Sequence, residues 1–207
     1  MVYALNEREG TFLVSIARET IENILKDEPV PDISSAPENL MQRAGVFVTL
    51  LEDPGKDSLR GCIGIPYPLK PLVEGVVEAA QGAAFRDPRF PPVSKDEVNE
   101  LIIEVSVLTP PELITVDHPS HLPEEIVIGR DGLIIQNRTR SGLLLPQVPV
   151  DWNWDAEEFL CQCCRKAWLP MDAWLLPETK VMKFSSIIFK EEYPKGPVKR
   201  LELKGKK

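Results

Sequence analysis

The sequence predicts an α+β fold with antiparallel sheets, and three observations carry that reading. Strand-like stretches follow one another across short turns, as in "GVFVTLLED", "DPGKDS" and "LRGCIGI", so hairpins outnumber helical crossovers. Amphipathic helices stand between the hairpins. A middle block changes character to short strands followed by one helix, which fits a lobe inserted into a larger unit. The predicted order is α, ββ, α, β, then βββα, then β.

Each element has a local reason. Over residues 7–26, Phe12, Leu13, Ile16, Ile21, Ile24 and Leu25 recur near the helical period, with charge opposite. "EPVPDISSAPE" is a proline-rich connector. "GVFVTLLED" is β-branched and apolar, and "LRGCIGI" is its hairpin partner. In "PLKPLVEGVVEAAQGAAF", Leu72, Val73, Val76, Val77, Ala80 and Ala84 form one stripe, and Pro71 suits the first turn. Pro88 in "RDPRFPP" biases Asp87 out of the helical region and stops that helix. "NELIIEVSVLTP" is a strand closed by Pro110 and Pro111. "EEIVIGRDGLIIQNRTRSGLLLP" reads as two or three strands, with Arg130-Asp131-Gly132 and Arg140-Ser141-Gly142 as turns. "DAEEFLCQCCRKAWL" is a helix capped by Asp155, "PMDAWLLPET" is a connector, and "KVMKFSSIIFKEE" is a last strand.

Composition narrows the function. The chain has 207 residues, 43% hydrophobic and 27% charged, which is ordinary globular usage with enough length for a real core. The formal net charge is −8. From Lys195 to Lys207 six basic residues face one acidic residue, Glu202, so the remaining 194 residues carry −13. A body that acidic repels phosphate backbones, and nucleic acid is not expected as a ligand. The basic tail reads as a solvated, fraying end. No stretch approaches 18 consecutive apolar residues, and Cys161, Cys163 and Cys164 are too crowded for a disulfide framework. The expectation is a soluble cytoplasmic protein with no membrane association.

"SLRGCIGIP" raises the functional question. On a regular strand Arg60 and Cys62 share one face, while Leu59, Gly61, Ile63 and Ile65 share the other, under a helix. A buried Arg60 needs a partner, and an exposed Cys62 needs a reason, so a cleft face suits both. A cation roughly 7 Å away would lower the thiol pKa by about 1.7 at an effective dielectric of 20, or about 0.4 in bulk water. A carboxylate on Arg60 would cancel most of that. Glu104 in "LIIEVSVL" lies on a face with Ile102 and Ser106, and is expected to pair with Arg60 or lie in the same cleft. Cys62 stands evenly between a packing residue and a site.

"LRGCIG", together with "AFRDPRFPP", "IEVSVLTPPE" and "GLLLPQVPVDWNWD" in that order, resembles the AMMECR family from about Arg8 to Glu192. The resemblance implies two subdomains, each an antiparallel sheet with flanking helices, and a cleft between them. The larger would hold residues 1–112 and 179–207, both chain ends and the LRGCIG strand. The smaller would be residues 113–178. Leu59, Arg60, Gly61, Cys62, Ile63 and Gly64 match the hexapeptide of the family, whose side chains mostly point toward that cleft. The family has no established biochemical activity, and its cleft suits a large ligand or protein partner. Relatives lie beside or fused to Memo-like and radical-SAM proteins, which hints at a shared modification pathway. The chain departs from the family at Trp168, where a glycine is expected.

Other candidates are weaker. Arg86, Asp87, Arg89 and Phe90 in "RDPRF" make either a local ion pair at a helix stop or a cleft wall that grips a carboxylate or peptide. "CQCC" lacks the spaced pairs of a zinc site, and its thiols read as core filler; no metal or cofactor is implied. His118 and His121, the two histidines, lie in no family motif, which disfavours a Cys-His dyad. Trp152 and Trp154 read as anchors for a helix start, and Gln147 as a turn or cleft residue. Two functions remain open. One is a binding protein around Arg60 and Cys62, with Gly64, Asp87, Arg89, Glu104 and Gln147 as walls. The other is an enzyme of a modification pathway with Cys62 as nucleophile or redox thiol and Arg60 stabilising an anion.

Overall fold

The computed structural model describes residues 5–52 and 58–201, and the chain divides into two compact units. Residues up to Thr109 with Ile187–Leu201 form the first, and Pro110–Ser186 form the second. The turn expected at "DPGKDS" falls largely on residues 53–57, outside those described.

The first unit opens with α1 (Glu7–Leu25). Asn6 caps it: its Oδ1 accepts the Glu9 N–H at 3.0 Å, and the Glu9 carboxylate accepts the Asn6 N–H at 2.8 Å. Its buried stripe includes Leu13, Ile16, Ala17 and Ile21. β1 (Gly45–Leu51) pairs antiparallel with β2 (Leu59–Ile65) on one side and with β3 (Ile102–Leu108) on the other. α2 (Leu72–Phe85) packs across β1 and β2. One sheet face, with Val46, Val48, Leu50, Ile103, Val105 and Val107, joins both helices in a single core. A buried arginine braces it. Arg18 donates to Glu191 through Nε at 2.7 Å and to the Leu101 carbonyl at 2.7 Å, while Glu191 accepts the Ile103 N–H at 2.9 Å.

The second unit contains β4 (Glu112–Leu113), β5 (Asp131–Asn137), β6 (Arg140–Leu144), α3 (Gln147–Asp151) and α4 (Ala156–Lys166). β7 (Lys180–Glu191) pairs antiparallel with β4 and β5 through residues 180–185. Its last residues belong to the first unit, next to β3, and pair with β8 (Val198–Leu201). Leu133, Ile135, Phe159, Leu160, Cys163, Cys164, Trp174 and Val181 form the second core.

Five expectations need correction. Arg130-Asp131-Gly132 is turn at Arg130 alone, because Asp131 and Gly132 open β5 opposite Ser185 and Phe184. Arg140-Ser141-Gly142 is strand, paired with Asn137, Gln136 and Ile135, and the hairpin turns at Arg138-Thr139 with Arg138 at φ 52°. Residues 126–128 are not a strand; a 3-10 segment, Pro119–Glu125, precedes them. α3 and β4 were not foreseen. Part of the basic tail is ordered, because residues 198–201 pair with β7.

α4 ends in a Schellman motif at the position where a glycine was expected. The Leu169 N–H donates to the Cys164 carbonyl and the Trp168 N–H to the Arg165 carbonyl, both at 3.0 Å. Trp168 therefore takes the left-handed conformation, φ 58°, and the residue is 85% exposed. A side chain there costs about 1 kcal/mol or more, and glycine would avoid it. Trp168→Gly is accordingly expected to raise unfolding free energy by about 1 kcal/mol in urea denaturation. A loss of stability would show that the exposed indole contributes more than its backbone costs.

Candidate functional site at the edge of β2

β2 is an edge strand of the first unit, with β1 its one neighbour in the sheet among the described residues. The Cys62 N–H points away from β1 and donates to Asp87 Oδ2 at 2.9 Å. Cys62 and its partner Thr49 are therefore a non-hydrogen-bonded pair, the closer kind in antiparallel sheet. Thr49 Oγ1 donates to Cys62 Sγ at 3.3 Å. On the other side of β1, Thr49 stands opposite Glu104. A thiol, a hydroxyl and a carboxylate thus form one row on one face. Gly64, Phe47 and Ser106 form the next row.

The opposite face of β2 is helix packing. A Cβ at Gly61 would sit 2.3 Å from the Ala83 carbonyl oxygen of α2, and one at Gly82 would sit 2.6 Å from Ile63. Gly61 and Ile63 are thus committed to α2. A Cβ at Gly64 would strike the Phe47 ring at 2.3 Å. Leu59, at the start of β2, is exposed.

Asp87 and Arg89 act as a one-residue substitute for a missing strand. The carboxylate accepts the Cys62 N–H, and Arg89 Nη2 donates to the Cys62 carbonyl at 3.2 Å. The two side chains pair with each other at 2.9 Å (Nε to Oδ1) and 2.7 Å (Nη2 to Oδ2). The Arg89 hydrogen bonds hold the Asp87 carboxyl well below the usual carboxylate range, against the opposing effect of burial.

Arg60 occupies a β-bulge. Leu50 faces Gly61 and Leu51 faces Leu59, so Arg60 has no opposite residue and the strict alternation of faces breaks there. Its buried guanidinium is held by the Glu97 carboxylate, Nη2 to Oε2 at 3.1 Å, and donates to the Pro91 carbonyl at 2.9 Å. Arg60 and Arg89 both lie on the Phe90 ring, 5.7 and 5.4 Å from its centroid. The carboxylate that neutralises Arg60 is Glu97, not the Glu104 expected from sequence. Glu104 instead faces Thr49 in the row of Cys62.

The Cys62 thiol is pushed above its ordinary value. Burial is the main cause, and the charges of Glu104 and Asp87 add to it. The Thr49 hydrogen bond and the Arg89 charge oppose the shift without reversing it. Cys62 is a neutral thiol at physiological pH.

The structure brings Arg60, Cys62, Asp87 and Arg89 together. It adds Thr49 and Glu97, which the sequence reading missed. Thr49 was visible as a polar residue out of phase with Val46, Val48 and Leu50. Glu97 was visible only as the end of an S-x-x-E capping signature, Ser94 to Glu97: its carboxylate accepts the Ser94 N–H at 3.2 Å and Ser94 Oγ accepts the Glu97 N–H at 3.3 Å. Gln147 belongs to the second unit, where its Oε1 is buried without a hydrogen-bond partner among the described residues. Cys163 and Cys164 are core residues whose thiols burial pushes up to about 12 and about 11. His118 caps the 3-10 segment through the Ser120 N–H. Trp152 stacks on Trp154, centroids 6.0 Å apart. Among the described residues no group of three or more His, Cys, Asp and Glu could hold a metal ion, and no helix is long and apolar enough to cross a membrane.

Comparison with known proteins decides the family. The AMMECR1 family model matches residues 14–189. The chain belongs to the AMMECR1 family. A Pyrococcus horikoshii relative, protein PH0010, is 52% identical over 209 residues, covering 98% of this chain and 100% of that one. A Methanocaldococcus jannaschii relative is 52% identical over 194 residues, covering 94% and 96%. The crystal structure of uncharacterized protein PH0010 from Pyrococcus horikoshii matches this AMMECR1-family chain with a TM-score of 0.91 at 51% identity, over 96% of this chain and 99% of that one. The names of these relatives state no activity.

Two outcomes follow from the geometry. Gly61→Ala is expected to cost about 1–3 kcal/mol, because the new methyl meets helix backbone that cannot give way; thermal unfolding measures it. Asp87 has a folded pKa below its unfolded value of about 3.9, so its stabilisation is present above that pH and is lost as pH falls below it. Asp87→Asn is expected to be less stable than wild type by about 2 kcal/mol near pH 7, with the gap closing below about pH 4. A gap independent of pH would contradict this.

Proposed function

We propose that this AMMECR1-family chain is a binding protein that holds a large ligand or protein partner against the β2 face around Arg60 and Cys62. The observation that supports this most is the Cys62–Thr49–Glu104 row. It sets thiol, hydroxyl and carboxylate side by side on a sheet whose other face is apolar core. In the next row Ser106 Oγ is buried without a hydrogen-bond partner among the described residues, as is Arg60 Nη1 at the bulge. The cleft between two subdomains implied by the family resemblance is part of this proposal, and Gln147 enters it on that footing alone. So does any pathway link to Memo-like or radical-SAM proteins.

The alternative, an enzyme with Cys62 as nucleophile or redox thiol, requires thiolate. A thiol raised by burial and flanked by Asp87 and Glu104 weighs against it. The ion pair with Glu97 also removes Arg60 as an activating cation.

The test is capture from a lysate of the source cells on immobilised full-length protein, read by quantitative mass spectrometry. Wild type is compared with a Thr49→Val/Glu104→Gln double variant whose fold is checked by circular dichroism. The expected result is a species retained at least tenfold better by wild type, which also protects Cys62 from alkylation. Equal retention by both proteins would overturn the proposal.

A further inference from the structure

A second feature lies in the second unit, independent of β2. A hollow of about 360 Å³ is lined by Leu144, Trp154, Gln162, Arg165, Lys166 and Trp168. That volume is near the low end for ligand pockets and suits one large side chain rather than a cofactor. Its charged lining residues are Arg165 and Lys166, both basic, in a chain whose net charge is −8.

Trp168 is the unusual member. A bulky residue at φ 58° is an outlier, and here the residue is 85% exposed, so core packing does not account for it. Its backbone is nevertheless fixed. The two Schellman hydrogen bonds hold it, and Arg140 Nη1 donates to its carbonyl at 2.6 Å. Trp154 is half-buried beneath Trp152, which is 70% exposed and stacked on it at an interplanar angle of 17°. The result is a solvent-open aromatic surface beside basic residues, with the backbone under Trp168 fixed. Exposed tryptophan beside arginine is the composition of an interface centre.

We propose that this hollow docks an acidic peptide segment of a partner protein, with one aromatic side chain of that segment seated against Trp154 and Trp168. Charge complementarity selects the occupant: carboxylates flanking the anchor meet Arg165 and Lys166, while the acidic remainder of the chain disfavours acidic ligands elsewhere.

The experiment titrates full-length protein with the peptide Ac-DEDFEDE-NH2, following the indole N–H signals of the four tryptophans by NMR. Controls are Ac-DEDSEDE-NH2, which lacks the anchor, and Ac-KRKFKRK-NH2, which reverses the charge. The expected result is a shift of the Trp154 and Trp168 signals. Affinity should be at least fivefold above that of the serine peptide and should fall with added salt. Trp168→Gly, which relieves backbone strain and so folds, is expected to weaken binding at least fivefold. Arg165→Glu/Lys166→Glu is expected to abolish it. No shift, an equal response to the basic peptide, or unchanged affinity in Trp168→Gly would overturn the proposal. Shifts that follow protein concentration alone, with association seen in sedimentation, would also overturn it by making a second copy the occupant.

Discussion

The geometry of the LRGCIG strand depends on the ion pair between Asp87 and Arg89. An edge strand leaves alternate N–H and C=O groups without a neighbour. At Cys62 those groups are met by the carboxylate and guanidinium of two residues just past the end of α2. The pair is anchored by sequence. Pro88 forces the chain out of the helix between them, and Asp87 turns back to accept the Arg89 N–H at 3.1 Å. A carboxylate that is 1% exposed and carries these bonds fixes the Cys62 backbone, and with it the approach of the thiol to Thr49. The same pair sets opposing charges beside the sulfur, so neither dominates the burial that keeps it protonated.

Around that clamp five of the six residues of the hexapeptide, Arg60 to Gly64, have a physical use. Arg60 sits at a bulge and reaches Glu97 and Pro91. Gly61 lets the backbone of α2 come close, and Ile63 fills the space above Gly82. Cys62 meets Thr49, and Gly64 lies under the Phe47 ring. Small residues on both β2 and α2 allow close packing on one face, while the other keeps its polar row. The motif is thus a joint between strand, helix and loop, which is why a reading as one regular strand explains only part of it.

Much of the fold was legible because periodicity is local. α1, β1 to β3, α2, α4 and β7 follow from the apolar pattern, and Asp155 marks the start of α4 through its own hydrogen bond to the Glu158 N–H. Local composition misled at Arg140-Ser141-Gly142, where turn-like residues are strand because cross-strand pairing with β5 outweighs propensity. β8 was hidden for a similar reason, since basic residues on an edge strand look like a solvated tail. In the candidate site, alternation correctly set Glu104 with Ser106 on one face of β3. It could not choose the partner of Arg60, because the bulge breaks alternation and Glu97 comes from a separate 3-10 turn, Glu97–Asn99, whose local Ser94–Glu97 bonds do not reveal what the turn packs against. Asp87 and Arg89 were legible as a pair, but their hold on the Cys62 backbone required knowing that β2 is an edge.

The central claim is that Cys62 is a clamped, neutral hydrogen-bonding group rather than an activated nucleophile. Its thiol titration tests this most directly, followed by ¹³Cβ NMR of cysteine-labelled full-length protein, with Cys62→Ser to assign the signal. The account predicts an apparent pKa above the ordinary free-thiol value of about 8.5. A pKa near 7 or below would contradict it and return cysteine chemistry to the first place.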